Sequence, residues 1–332
     1  MPRVTRLHLA AAAAALLALT ACSNSQEAAA PVATPHIGIA FELPDAKAYP
    51  EGIAVDSRSG DVYVGSFTNG AIYRAAKGGT KAEVFLASGT DGRQTANGLR
   101  VDNAGRLWVI DHTTGVAVYD TGTRALIARF DAPQADKPFL NDLAMTPDGD
   151  VYLTDSVRPV VYRVTPQQLS DAIAHGGRAG LDVFATVNST KDAAAQSAPL
   201  LNGIVADTAG RYLLVVDMPT GDLYRISLDA QRAVINVTER GGNMINGDGL
   251  ELRGDTMWVV QNKDNTVSRW KVTDDGATVE QQQRITDAAL AIPTTIAHVG
   301  DRALVVISQF DRGGPMGEGT PAAFTVAAID GI

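Results

Sequence analysis

The chain of 332 residues holds a single cysteine, Cys22, so no disulfide framework supports it. It has no basic run beyond its first few residues. Acids outnumber bases, 37 Asp and Glu against 28 Lys and Arg, for a formal charge of −9. A nucleic-acid partner is therefore not expected. After residue 21 there is also no apolar run long enough to cross a bilayer.

The first 21 residues read as a targeting segment. Arg3 and Arg6 supply a positive start, and Leu9 to Leu19 is an Ala/Leu run. As a helix that run is about 16 Å long, short of a ~30 Å hydrocarbon core. It ends Leu19-Thr20-Ala21-Cys22, which resembles a bacterial lipoprotein cleavage box. Cys22 is then the lipidation site and the only membrane attachment. Cleavage removes two arginines and no acid, taking −9 to −11. Residues 22–36 are rich in Ala, Ser, Gln and Pro without apolar period and read as a flexible tether. The expected address is the bacterial cell envelope. Ser23 is not the Asp that retains such proteins in an inner membrane, which favours the periplasmic face of an outer membrane.

What is present is repetition. Asn141 opens NDLAMTPDGDVYLTDS, which reads as strand, turn, strand. The same pattern opens at Glu51, Asn97, Asn202 and Asp248, and in worn form at Thr294. The openings lie 46, 44, 61, 46 and 46 residues apart. A period in the forties with four short strands per unit predicts an all-β, six-bladed β-propeller of four-stranded blades over residues 37–332. The Trp-Asp and kelch signatures are missing, so those propeller classes are set aside. Ile37–Leu43 has the look of an outer strand, while the sixth unit stops at its third strand, so the N-terminal strand is expected to complete the last blade and cover its edge. The 61-residue spacing hides an insertion. Thr165-Pro166-Gln167-Gln168 has the form of a capping box with Pro at N1. With the stripe Leu169, Ala172, Ile173 and a stop at Gly176, it predicts a short helix between the third and fourth strands of blade 3.

In a propeller the first strand of each blade lines the channel, so the opening residues ring one mouth. The second strand returns to the same mouth, bringing His112, Asp155, Asp217, Asn262 and Gln309 near it. Two loops belong to this face, Ser189–Ala198 and the Gly-rich, mobile segment Asp311–Thr320. The inserted helix belongs to the opposite face, as do the turn-forming Asp102, Asp148 and Asp207. Asn-Gly and Asp-Gly are also common turn dipeptides, so each opening residue has a purely structural reading, which suits Asn97 best. His298 reads as packing, and His175 as a partner for the helix C-terminus.

Pro50-Glu51-Gly52, Asn141-Asp142, Asn202-Gly203 and Asp248-Gly249, each in its own blade, resemble the openings of the senescence marker protein/gluconolactonase/luciferin-regenerating enzyme family, six-bladed propellers related to the paraoxonases. The resemblance spans about residues 37–332. It implies that Glu51, Asn141, Asn202 and Asp248 hold one divalent metal, usually calcium, with Asn97 and Thr294 as further channel-lining residues. Two departures stand out. Paraoxonases have a histidine where Asn97 stands and a second at His112, so the pair is halved. The Arg and Asn that gluconolactonases use for sugar hydroxyls have no counterpart placed here.

Two carboxylates and two amide carbonyls suit a hard cation that takes six to eight oxygens, and neutralise its charge. Zinc would want His or Cys, which the ring lacks. A metal in a channel can polarise a carbonyl and acidify bound water, which fits hydrolysis of lactones or related esters, with Asp248 or His112 as general base. The alternative is a lipid-anchored, non-catalytic binding propeller with a structural calcium.

Overall fold

Runs such as Tyr212–Asp217, YLLVVD, are apolar without alternation. A strand reads this way when both its faces are buried. Leu213 and Val215 pack in one hydrophobic cluster with Tyr152, Val161 and Phe184. Leu214 and Val216 pack in another with Leu250, Met257 and Trp270. Successive side chains thus serve the two neighbouring blades. The computed structural model, which describes residues 1–2, 35–134, 137–188 and 200–332, repeats this six times: six apolar clusters, each lying between adjacent sheets.

The result is a six-bladed β-propeller of antiparallel sheets. The inner strands are Pro50–Val55, Leu99–Val101, Leu140–Met145, Leu201–Ala206, Gly247–Arg253 and Pro293–Val299. Each packs on the next, and the sixth packs on the first, closing the ring around a channel. Closure at the periphery follows the expected route. Strand His36–Glu42 pairs antiparallel with Thr325–Asp330 of blade 6, with His36 opposite Asp330 and Glu42 opposite Thr325. Phe41 and Leu43 are buried against blades 1 and 6.

The inserted helix is Pro166–Ala174, with the reciprocal Thr165–Gln168 capping box formed and Leu169 and Ala172 buried. Ile173, expected on the apolar stripe, is exposed. The His175 ring approaches the Asp171 carbonyl at 2.7 Å through Nδ1.

Two blades gain a fifth strand. Arg178–Gly180, just after the helix, pairs in parallel with Leu126–Asp131 on the outside of blade 2. Thr238–Arg240 likewise joins Thr278–Thr286 of blade 5. Both are three residues long and mostly exposed, so they carry no hydrophobic period to read. Cys22, the leader, the tether up to Thr34 and the loop Ser189–Ala198 lie outside the described residues.

Candidate functional site

The opening residues stand where the inner strands lose register. Pairing with the second strand shifts between Pro50 and Ile53, Leu140 and Leu143, Leu201 and Ile204, Gly247 and Leu250, and Pro293 and Ile296. Glu51, Asn141, Asn202, Asp248 and Thr294 sit inside these irregularities, which re-aim side chains. In blade 2 the inner strand begins only at Leu99, after Asn97-Gly98.

The Asn-Gly and Asp-Gly pairs are therefore not turns. The glycine answers to the neighbouring blade. A Cβ on Gly203 would lie 2.1 Å from the Asp248 carbonyl oxygen, and one on Gly52 would lie 2.0 Å from that of Asn97. A Cβ on Gly98 would lie 2.7 Å from Asp142 of blade 3, and one on Gly249 would lie 2.8 Å from the Thr294 carbonyl oxygen of blade 6. Blade 3 carries Asp142 at this position, its Oδ1 accepting from Leu143 N at 2.8 Å. Blade 6 carries Thr295, while Thr294 Oγ1 donates to the Glu51 carbonyl at 2.7 Å. Thr294 thus ties blade 6 to blade 1.

Glu51, Asn97, Asn141, Asn202 and Asp248 share one cavity of about 390 Å³ at the channel mouth. All five are buried. The second strands supply a companion for three of them, one residue past the paired end. Asn141 Nδ2 donates to Ser156 Oγ at 3.0 Å, Asn202 Nδ2 to Met218 Sδ at 3.5 Å, and Asn262 Nδ2 to Asp248 Oδ2 at 2.8 Å. With their nitrogens held, Asn141 and Asn202 leave Oδ1 unpartnered. Asn97 Oδ1 and Glu51 Oε2 are also buried without a hydrogen bond. Buried oxygens without donors are costly, and four of them surround one cavity with a fifth acceptor, Asp248.

The electrostatics agree. Burial raises the Glu51 carboxyl well above its ordinary range, and the charges of Asp248 and Asp142 push it further. Asp248 is raised to about 8, by burial first and also by Asp142. Burial raises Asp142 too, opposed by Arg100, whose guanidinium lies 3.6 Å from it. Three acids are gathered with one arginine, and a divalent cation would relieve both the repulsion and the unpartnered oxygens. The donor set is all oxygen, which suits calcium. Among the described residues no three His, Cys, Asp or Glu cluster as a metal group; two of the four expected ligands are amides.

The other expected residues separate. Asn262 lines the cavity. Asp155 and Asp217 face the loop before their inner strand, accepting from Phe139 N at 3.2 Å and Leu200 N at 2.9 Å. Gln309 accepts from Ala322 N at 2.8 Å. His112 packs against Phe139 and Phe67, with ring centroids 4.4 and 5.3 Å away and near-parallel planes, while those two rings lie 6.4 Å from each other. Burial lowers its pKa, and its Nδ1 is unpartnered. The two phenylalanines line the cavity and His112 backs them. Asp102 and Asp207 close far-side turns by accepting from Arg106 N and Arg211 N. His298 Nδ1 meets Glu251 Oε2 at 2.5 Å, beside Trp258.

The wall above the ring is apolar: Phe67, Phe139, Val157, Leu200, Met218, Phe310, Pro315 and Met316. The last two come from the Gly-rich segment expected on this face. That segment is pinned, since Tyr49 Oη donates to the Arg312 carbonyl at 2.9 Å and a Cβ on Gly314 would strike the Tyr49 ring at 2.8 Å.

Residues 49–280 match the family profile described as SMP-30/Gluconolactonase/LRE-like region. The chain belongs to that family. A search of curated protein sequences gives no match. Among solved structures, the major allergen Mala s 1 of Malassezia sympodialis is similar with TM-score 0.64 and 15% identity, covering 87% of this chain and 95% of the allergen. A gluconolactonase from Xanthomonas campestris gives TM-score 0.61 at 14% identity, covering 90% of each chain. A calcium-binding regucalcin from Agrobacterium tumefaciens gives 0.59 at 17%, covering 89% of this chain and 94% of that one. At such identities the likeness is one of fold. The four residues that the family resemblance marked as metal ligands share one cavity here. Ser156, Met218, Phe67 and Phe139 were not marked by the sequence reading. The signal for the first three is their place just after the second strand's paired end.

Proposed function

We propose that this protein is a calcium-dependent hydrolase of lactones or related esters, working at the ringed mouth of the channel. The observation that carries the proposal is the set of four unpartnered buried oxygens facing one cavity with Asp248, in a chain of this family. The gluconolactonase and the calcium-binding regucalcin of the same fold support it. Glu51, Asn141, Asn202 and Asp248 would hold the ion. When bound, calcium supplies a Lewis acid for the acyl oxygen and acidifies a coordinated water.

The chain's own residues do the rest. Asn262 fixes one Asp248 oxygen at 2.8 Å, leaving the other for the ion or a proton. Ser156 and Met218 hold the two amide nitrogens, so that carbonyl oxygens face the site. Asp142 and Arg100 set the charge behind the ring. The apolar wall limits water to the reacting centre. Asp248 is the better placed general base, since His112 stands behind Phe67 and Phe139. His112 then acts as a positioning residue for those rings.

A panel of lactones and aryl esters, assayed with calcium and with chelator, tests the reading. Turnover that needs calcium and is lost in Asp248→Ala is expected. Normal calcium binding with no turnover of any member would instead favour a non-catalytic binding propeller. The anchor belongs to the same proposal: Cys22 is the acylated mature N-terminus, holding the propeller at the periplasmic face of an outer membrane. Mass spectrometry of the mature chain should find lipid on Cys22, and a start at any later residue would remove the anchor.

A further inference from the structure

We infer that the site selects lactones or esters whose non-reacting portion is apolar, and rejects polyhydroxylated sugar lactones. This rests on the hydrolase reading above and adds the substrate class. The cavity has two zones. Its floor is the oxygen ring, dominated by acceptors: the unpartnered oxygens of Glu51, Asn97, Asn141 and Asn202, with Asp248. Its wall is Phe67, Phe139, Leu200, Met218, Phe310 and Met316, with Ser156 and Asn262 as the polar exceptions.

Both exceptions are already engaged within the fold, which leaves each with only part of its hydrogen-bonding capacity. Ser156 Oγ donates to the Leu201 carbonyl at 2.7 Å and accepts from Asn141 Nδ2. Asn262 gives Nδ2 to Asp248 and accepts from Lys263 N at 2.6 Å. Among the described residues the only charged side chains lining the cavity are Glu51 and Asp248, and no Lys or Arg lines it. A polyol entering would lose water from each hydroxyl and meet few replacement partners on a wall that is mostly apolar, at a cost per group. An alkyl or aryl substituent gains by burial on the wall.

The wall is also backed for stiffness. Phe67 lies 5.3 Å from both His112 and Phe310, and Phe139 lies 4.4 Å from His112 and 6.4 Å from Phe67, so the four rings form one aromatic cluster. Burial lowers the pKa of this imidazole, so a neutral ring fills the aromatic corner. Met316, 40% exposed on the Asp311–Thr320 segment, closes the outer side with an adaptable chain.

In the reaction one water adds across the acyl C–O bond. The ring opens to a hydroxy carboxylic acid, and a proton is released to solvent at neutral pH. The test follows that proton with the full mature chain in calcium. Substrates are γ-lactones bearing alkyl groups of increasing length, against glucono-δ-lactone. We expect kcat/KM to rise up to about fourfold per methylene, which is ~0.8 kcal/mol per buried CH₂, until the cavity fills. The sugar lactone should be slower than the longest alkyl lactone by roughly 100-fold or more, as several such methylenes compound. Met316→Ser should reduce the long-to-short alkyl ratio about fivefold. Equal or better turnover of the sugar lactone, or a flat series, overturns the inference.

If no lactone is turned over, the hydrolase reading fails, and selectivity is then read from binding. Calorimetry would compare 2-pentylcyclopentanone, which has no acyl C–O bond to cleave, with inositol. Binding of the ketone alone supports the apolar site. Binding of inositol, or of neither compound, overturns it.

Discussion

Asp248 shows how burial, repulsion and orientation meet in one side chain. It is 4% exposed, held by Asn262, and raised to about 8 by burial and the nearby Asp142. An unfolded Asp titrates near 3.8, so between about 4 and 8 this carboxyl holds more proton in the metal-free folded chain than in the unfolded one. The stability it contributes falls as pH rises through that window. The melting temperature in chelator should drop between pH 5 and 8, and Asp248→Asn should flatten that slope. Calcium works in the opposite sense, because it displaces the proton. Affinity should climb towards pH 8, by about tenfold per unit for each proton displaced. Calorimetry at pH 6 and pH 8 checks this. Asp248→Asn should weaken calcium binding by at least ~10-fold, the scale of losing one charge-assisted contact, while leaving the metal-free protein folded. Unchanged affinity in that variant would remove Asp248 from the site.

At the scale of the element, the inner strands are set by glycines that make room for the next blade. Gly203→Ala would place a Cβ 2.1 Å from the Asp248 carbonyl oxygen. Backbone cannot give way there as a flexible side chain can, so the strands of blades 4 and 5 must part. A loss of about 1–3 kcal/mol or more is expected, with weakened calcium binding because Asn202 and Asp248 move with their strands. Gly180→Ala, in the added strand of blade 2, meets nothing within 4 Å and has no positive φ. It should leave stability within ±0.5 kcal/mol. Thermal melts of the two variants make the comparison, and similar losses in both would argue against the close-approach account. The helix gives an independent element-level check. Its capping box is intact at Thr165 and Gln168, so Thr165→Ala should cost about 1 kcal/mol and leave calcium binding alone.

At the scale of the whole molecule, stability rests on closing a circle. Strand His36–Glu42 covers the outer edge of blade 6, and Phe41 and Leu43 pack into the cluster shared with blade 1. A chain beginning after Thr34 should melt close to the full mature protein. A chain beginning after Leu43 exposes a strand edge and an apolar groove, and should melt far lower or aggregate. Equal melting temperatures would refute closure by this strand.

The sequence alone determined the number of blades, the order of strands, the closing strand, the capped helix and the opening residue of each repeat. These are local or periodic properties: apolar runs, turn residues and a spacing that recurs. It also determined which residue types stand at the mouth, and so that the chemistry there is that of oxygen donors. Tertiary structure alone decided the rest. Asn-Gly at Asn202 looks like a turn until blade 5 arrives 2.1 Å from where a side chain would be. Asp142 looks like a spare acid until Arg100 and the ring surround it. His112 looks like a base until it joins Phe67 and Phe139 in one aromatic cluster. Ser156 and Met218 gain a role only because the second strand ends beside the first. The added strands at Arg178–Gly180 and Thr238–Arg240 pair with a blade other than the one they follow. Contacts between strands and between blades are not written in any local pattern of the chain. They are fixed by how the sheets pack around the channel, which is where the unpartnered oxygens and the apolar wall are brought together.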